Sequence, residues 1–203
     1  MGCYFPFKKQ GESIPLPCGK CPYCLQRRAN NWVFRCMEQR KVTNTATWVT
    51  LTYANPPITD KGLMTLKKSD VQKFFKRLRK LSNPDNGRIS YYLCGEYGSK
   101  TFRPHYHAII FNSTPEHIDK AWTLYQSEST VKLGFSTFDE VNENTIMYTA
   151  KYMNKGRLIP MYDGDDRLKE FQLFSKGLGL NYLTDAQKQW HKADISRLYT
   201  YVD

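Results

Sequence analysis

The sequence predicts an α+β fold in which antiparallel β-strands are flanked by helices, in a chain of 203 residues. Three observations predict it. Segments 47–53 and 89–96 are rich in β-branched and aromatic residues and end at turn or glycine signals. The run Arg103-Pro104-His105-Tyr106-His107-Ala108-Ile109-Ile110-Phe111 alternates histidine with tyrosine and then continues as an apolar strand. Segments 25–43, 70–81 and 142–156 instead space apolar residues three and four apart, the period of a helix. A chain of this length is expected to form one compact domain.

Composition narrows the partners. Lys plus Arg is 30 against 19 for Asp plus Glu, a net charge of +11, which favours polyanions, nucleic acid before membrane. No apolar run of about 18 residues spans a bilayer, and residues 1–10 lack the apolar centre of a signal peptide. A cytosolic, reducing compartment is therefore expected, in which cysteines serve as metal ligands, reactive thiols or buried small residues rather than disulfides. The 14 tyrosines and 11 phenylalanines suit both a packed sheet and base stacking.

The first segment is irregular, marked by Pro6, Pro15, Pro17 and Pro22. It holds Cys18-Gly19-Lys20-Cys21-Pro22-Tyr23-Cys24, two overlapping C-x-x-C units, and with Cys3 four thiolates suffice for a tetrahedral structural Zn²⁺. The alternatives are buried or free thiols, or a redox pair that lacks its usual βαβ context. A helix over 25–43 follows, with Leu25, Ala29, Trp32, Val33, Cys36 and Met37 as its apolar side. Its Arg27, Arg28, Arg35, Arg40 and Lys41 suit phosphate contact.

On the strand 47–53, Trp48, Thr50 and Thr52 share one face, and Val49, Leu51 and Tyr53 the other. Asp60-Lys61-Gly62 reads as a plain turn. The helix over 70–81 carries Val71, Phe74, Phe75, Leu78 and Leu81, with Ser69 as its expected N-cap.

The strand 89–96 should pair antiparallel with the histidine strand through the loop 97–104. Alternation puts His105 and His107 on one face. Glu96, at the end of the neighbouring strand, then adds a carboxylate. Two imidazoles and a carboxylate suit Mn²⁺ or Mg²⁺, with phosphate and water completing the shell. The plainer reading leaves one histidine on the surface and the other packed. Cys94 is expected to pack.

A helix from Pro115 is expected to carry Ile118, Trp122 and Leu124, followed by a strand over 131–138. In the helix over 142–156, Asn142 or Asn144 caps the start and Gly156 the end. Tyr148 and Tyr152 lie one turn apart on one face, and each has a lysine three residues on, Lys151 and Lys155. A phenol needs help to act as a nucleophile at neutral pH, and a neighbouring ammonium stabilises its phenolate or the charge on a pentacoordinate phosphorus. The plainer reading packs both rings against the sheet. Further on, Asp165 and Asp166 read as solvated acids or metal ligands, and 175–180 as a glycine-containing loop able to approach DNA. Residues 184–201 read as a helix capped by Thr184, with His191 on its surface.

The strand 48–53, the Pro104-His105-Tyr106-His107 strand and the Tyr-x-x-Lys-Tyr helix resemble, in that order, the three motifs of the HUH endonucleases. The Cys18-Gly19-Lys20-Cys21 segment leading to Trp32 and Arg35 resembles the replication initiators of microviruses of the gokushovirus type. The resemblance implies a central antiparallel sheet flanked by helices. The chain then reads as a Cys-rich segment and basic helix at 1–46 packed on the core, a nuclease core at 47–160 and a C-terminal loop and helix at 161–203, in one compact domain. It implies Mn²⁺ or Mg²⁺ on His105, His107 and Glu96, and Tyr148 and Tyr152 as paired nucleophiles that link to the 5′-phosphate of single-stranded origin DNA and later rejoin the strand. A host polymerase would extend the freed 3′-hydroxyl in the bacterial cytoplasm. The chain shows no Gly-x-x-x-x-Gly-Lys-[Ser/Thr] loop, so a host helicase would unwind. The alternatives are a transposase or plasmid relaxase with the same chemistry, or a non-catalytic, zinc-stabilised nucleic-acid-binding module.

Overall fold

The computed structural model describes residues 2–11, 13–82, 85, 87–126, 129–151 and 159–193. In chain order the elements are α1 (Pro22–Lys41), β1 (Ala46–Tyr53), α2 (Lys68–Leu81), β2 (Ser90–Tyr97), β3 (Pro104–Phe111), α3 (Pro115–Ala121), β4 (Thr123–Gln126) and β5 (Ser129–Lys132). They continue with β6 (Gly134–Glu140), α4 (Glu143–Lys151), β7 (Phe171–Phe174), a 3₁₀ turn (Leu180–Tyr182) and α5 (Asp185–Ala193).

Five strands form one sheet in the order β6-β1-β3-β2-β7, and every neighbouring pair is antiparallel. The histidine strand β3 is therefore central. Strand alternation divides the side chains between two faces. Val49, Leu51, Tyr53, Tyr106, Ala108 and Ile110 go to one face, where Val71, Phe74, Phe75 and Leu78 of α2, Ile118 of α3 and Trp122 just after it cover them. Tyr92, Ile109 and Phe111 go to the other, under Ala29, Trp32 and Cys36 of α1 and Ile146 and Ala150 of α4. Trp32 stacks on Tyr92 at 4.4 Å between ring centroids, so α1 is held by an aromatic contact as well as by apolar burial. The fold is the α+β sheet with flanking helices that the periodicities predict. Among the described residues no helix is long and apolar enough to cross a membrane.

Several local expectations change. Helix α1 starts at Pro22, a residue suited to a first helical turn, so Cys24 lies inside the helix. Ser69 does not cap α2: the helix begins at Lys68, and Asp70 is buried, accepting from the Tyr53 hydroxyl at 3.1 Å. Helix α3 stops at Ala121, because Trp122 turns its indole N–H to the Thr52 carbonyl at 2.9 Å, and Leu124 falls in a strand. The segment expected as one strand over 131–138 is divided between β5 and β6. Gly134 opens β6 so close to β1 that a Cβ there would lie 1.9 Å from the Thr52 carbonyl oxygen. Only glycine admits that approach.

The C-terminal loops are structural. Asp165 is half-buried with its side chain covered, bound through both carboxylate oxygens to Arg167 at 2.8 and 2.9 Å, and Asp166 accepts from the Lys61 backbone N–H. The glycine loop at 175–180 docks on α1. Arg35 Nε donates to the Leu178 carbonyl at 2.9 Å, and the Gly179 N–H donates to Gln39. At Thr184 the expected cap is present, with the Gln187 N–H donating to its hydroxyl at 3.2 Å. The part of that helix expected beyond residue 193 lies outside the described residues.

Candidate functional site

The site lies on the sheet face that α4 partly covers. The register of β2 and β3 sets Glu96 opposite His105 and Cys94 opposite His107, while β1 sets Thr50 opposite His107 from the other side. Cross-strand partners in an antiparallel pair share a face. Glu96, His105, His107 and Thr50 are therefore brought together by sheet register alone.

The three candidate ligands converge. His105 Nε2 is 2.7 Å and His107 Nε2 3.0 Å from the same Glu96 oxygen, Oε1. His105 Nδ1 donates to the Arg103 carbonyl at 3.1 Å, and His107 Nδ1 meets the Thr50 hydroxyl at 2.9 Å. Each ring is thus held by its outer nitrogen, with its inner one aimed at the carboxylate. This is how metal-binding histidines are oriented. Glu96 and His107 are buried and His105 half-buried. Burial acts against the charge of Glu96, but the hydrogen bonds from both imidazoles outweigh it and hold the carboxyl below its ordinary range. Burial also lowers His105, yet its bond to Glu96 more than reverses this and raises it. His107 stays lowered, by burial and by the neighbouring His105. With both Nε2 atoms aimed at one carboxylate oxygen, the three groups form a candidate donor set for a divalent cation.

Helix α4 adds the tyrosine. Asn142 fixes its start, exchanging hydrogen bonds with Thr145 at 3.0 Å. Tyr148 is 47% exposed, and its ring stands edge-on to His107 with 5.5 Å between centroids. An exposed phenol beside a ligand set is available to a substrate in a way that a packed core tyrosine is not. Trp48 completes the group: it stacks on His107 at 5.2 Å, meets Tyr148 edge-on at 6.1 Å, and donates its indole N–H to Thr149 at 2.9 Å. Thr149 is fully buried and ties α4 to the sheet through this bond. Lys151 is exposed at the end of α4. Tyr152 and Lys155, the second expected Tyr and Lys, lie outside the described residues.

Sequence reading missed Trp48, Thr50 and Thr149 as supports. Their roles depend on which strand neighbours which and on how α4 docks. The one available signal was that Trp48 and Thr50 alternate onto a single face.

A second ligand group lies at the start of α1. The sulfurs of Cys3, Cys18, Cys21 and Cys24 all fall within 4.8 Å of one another, with Cys18–Cys24 and Cys21–Cys3 both at 4.0 Å. The Lys20 and Cys21 N–H groups donate to the Cys18 sulfur at 3.4 and 3.3 Å, which lowers the Cys18 thiol. Burial raises Cys21, but hydrogen bonds from the backbone of Tyr4 and Cys24 and from neighbouring thiols bring it down to about 6. Cys24, dominated by burial, is pushed up to about 12. Cys36 and Cys94 are buried apart from this cluster.

Comparison with known proteins agrees with this picture at family level. A family model described as replication-associated protein ORF2/G2P matches residues 46–157, which span β1 to α4. The chain is 29% identical over 192 residues to replication-associated protein ORF2 of Spiroplasma virus 4, covering 88% of this chain and 60% of that protein. It is 28% identical over 198 residues to replication-associated protein ORF4 of Chlamydia phage 1, covering 89% of this chain and 49% of that one. With replication-associated protein VP4 of Bdellovibrio phage phiMH2K it shares 30% identity over 161 residues, or 72% of this chain and 50% of the relative. The chain thus spans about half to three fifths of the length of the curated relatives it matches. No solved structure matches it.

Proposed function

The chain belongs to the replication-associated protein ORF2/G2P family, and from that premise we propose that it is a metal-dependent, site-specific single-stranded DNA nickase and strand transferase that initiates rolling-circle replication. The observation that carries the reading is the exposed Tyr148 ring set edge-on to His107, itself joined to Glu96 and His105. In this reading the group is the metal site and nucleophile of an HUH endonuclease. In this reading 47–160 is the nuclease core, packed against 1–46 and followed by 161–203.

Glu96, His105 and His107 would hold Mn²⁺ or Mg²⁺, since both Nε2 atoms already aim at the carboxylate oxygen. When bound, the cation supplies Lewis-acid polarisation of a phosphodiester. Tyr148 contributes the nucleophile. Its phenolic oxygen bonds to phosphorus, the bond from phosphorus to the 3′-oxygen breaks, the 3′-oxygen takes up a proton, and the phenolic proton leaves to solvent or a nearby base. The product is a 5′-phosphotyrosine and a free 3′-hydroxyl. Lys151 steadies the charge near the phenolate. Tyr152 with Lys155 is the proposed second nucleophile, which would cut the regenerated origin so that strand transfer closes a circle. Single-stranded origin DNA, a host polymerase and a host helicase are the partners of this reading, in the cytoplasm of a bacterial host. A net charge of +11 favours such a substrate.

The cysteine cluster fits Zn²⁺ in a structural role. Tetrahedral thiolates at about 2.3 Å from zinc lie roughly 3.8 Å from one another, and two of the sulfur pairs stand at 4.0 Å.

The test is a denaturing gel of the protein with labelled single-stranded viral-origin oligonucleotides and Mn²⁺. The reading expects a slow-migrating covalent adduct that requires the metal, is lost with His105→Ala and is lost in the Tyr148→Phe/Tyr152→Phe pair. DNA binding with no adduct on any oligonucleotide would overturn it in favour of a binding module.

A further inference from the structure

We propose that the cysteine-pinned hairpin ahead of α1 is a second single-stranded DNA contact, which grips unpaired bases by stacking them on Tyr4, Phe5 and Phe7. The proposal rests on the reading that the substrate is single-stranded DNA.

The hairpin is built, not trailing. Phe7 and Leu16 exchange backbone hydrogen bonds at 3.0 and 2.8 Å, closing an antiparallel bridge. Both of its ends converge on the thiol cluster, through Cys3 on one side and Cys18 on the other, and the Cys18 N–H donates to the Cys3 sulfur at 3.2 Å. A chain fixed at both ends and across its middle holds its side chains in defined directions. Those directions lead into solvent. Tyr4 is 53%, Phe5 73% and Phe7 52% exposed, and none of them belongs to either hydrophobic cluster of the fold. A single exposed ring needs no explanation, but three within four residues concentrate exposed apolar surface of the kind that marks a partner.

The partner is indicated by charge and position. Lys8 and Lys9 follow the rings directly, and Lys20 lies in the same knuckle, all exposed. Rings beside a cationic stripe are the composition of a single-strand binding surface, where aromatics take base faces and lysines take phosphates. A duplex keeps its base faces stacked inside and offers them only at its ends. Position agrees as well. Cys21 is the N-cap of α1, and about one and a half turns further on Gln26 meets Met147, the residue before Tyr148, at 3.9 Å. The hairpin therefore leads into the part of α1 that packs beside the tyrosine helix, so that one strand could run from the rings to the phenol.

The measurement is fluorescence anisotropy of labelled (dT)₂₀, with a mixed-sequence duplex of equal length beside it and no divalent cation added. Stacking is worth about 1–3 kcal/mol per base, or at least about fivefold in affinity per ring. Phe5→Ala/Phe7→Ala should thus weaken (dT)₂₀ by about 25-fold or more and change duplex affinity less than about twofold. Phe5→Tyr/Phe7→Tyr should keep (dT)₂₀ within about twofold of the parent. Lys8→Ala/Lys9→Ala should flatten the slope of log K against log salt by about 1.4, for two single-strand phosphates. If the double alanine variant does not fold, Phe5→Ala alone carries the expectation at about fivefold. Unchanged (dT)₂₀ affinity in a folded alanine variant would overturn the proposal, and so would an equal loss on the duplex. Because no cleavage is read, a chain that binds through its rings yet forms no adduct refutes the nuclease reading and leaves this one standing.

Discussion

Thr50→Val removes one hydroxyl and keeps the β-branched shape that a strand favours. In the parent that hydroxyl lies 2.9 Å from His107 Nδ1. The His107 side chain is 7% exposed, so water does not readily replace the lost partner. A buried ring nitrogen left without its hydrogen bond costs about 1–3 kcal/mol, and outer partners of metal-binding histidines are worth about 10–100-fold in metal affinity. At about 1.4 kcal/mol per decade the two ranges overlap. We therefore expect Mn²⁺ to bind Thr50→Val about tenfold more weakly, read by isothermal titration calorimetry with the thermal midpoint as a fold control. Thr52→Val is the comparison. Thr52 lies on the same face opposite His105, but its hydroxyl donates to the Phe135 carbonyl at 3.3 Å, so its Mn²⁺ affinity should stay within about twofold. Parent-like affinity in Thr50→Val would mean that the stacked Trp48 ring orients His107 unaided. Equal losses in both variants would refute the contact in another way, by making the effect one of strand β1 as a whole.

Other expectations follow from single contacts. Cys18→Ser removes a sulfur that two backbone N–H groups donate to; on the structural-zinc proposal, bound zinc, measured by atomic absorption after dialysis, should fall below half the parent value, and the thermal midpoint should drop with it. Leu51 is fully buried between the sheet and α2; Leu51→Ala should cost about 2–5 kcal/mol in urea unfolding. Arg167 beside Asp165 holds that carboxyl well below its usual range. A carboxyl depressed in the folded state stabilises above its unfolded value and loses that contribution as pH falls. Asp165→Asn should therefore lower the thermal midpoint at pH 7, and the deficit should narrow below about pH 4.

The sheet and the convergence of Glu96, His105 and His107 were legible because both depend on alternation. Once His105 and His107 share a face and the loop at 97–104 returns the chain, Glu96 has one place to be. Strand β7 was not legible: Phe171–Phe174 is too short to show a period, and only its pairing with β2 makes it a strand. Ser69 had the chemistry of a cap but lost to Lys67, because burying Asp70 against Tyr53 starts the helix earlier. Asp165 read as solvated because its partner Arg167 cannot be recognised as one without the shape of the loop. Trp48, Thr50 and Thr149 share that limit. Their functions exist only between elements far apart in the chain.

The packing of α1 on α4 has a consequence for how the protein is made. Residues 22–41 are synthesised well before 143–151, and at about 5–20 residues per second the interval is on the order of 5–20 s. Throughout it Ala29, Trp32 and Cys36 lack the half of their cover that Ile146 and Ala150 provide. The nascent chain thus carries an open apolar stripe while the five-stranded sheet is still incomplete, since β6 and β7 also arrive late. That stripe closes only when the tyrosine helix emerges and packs on it.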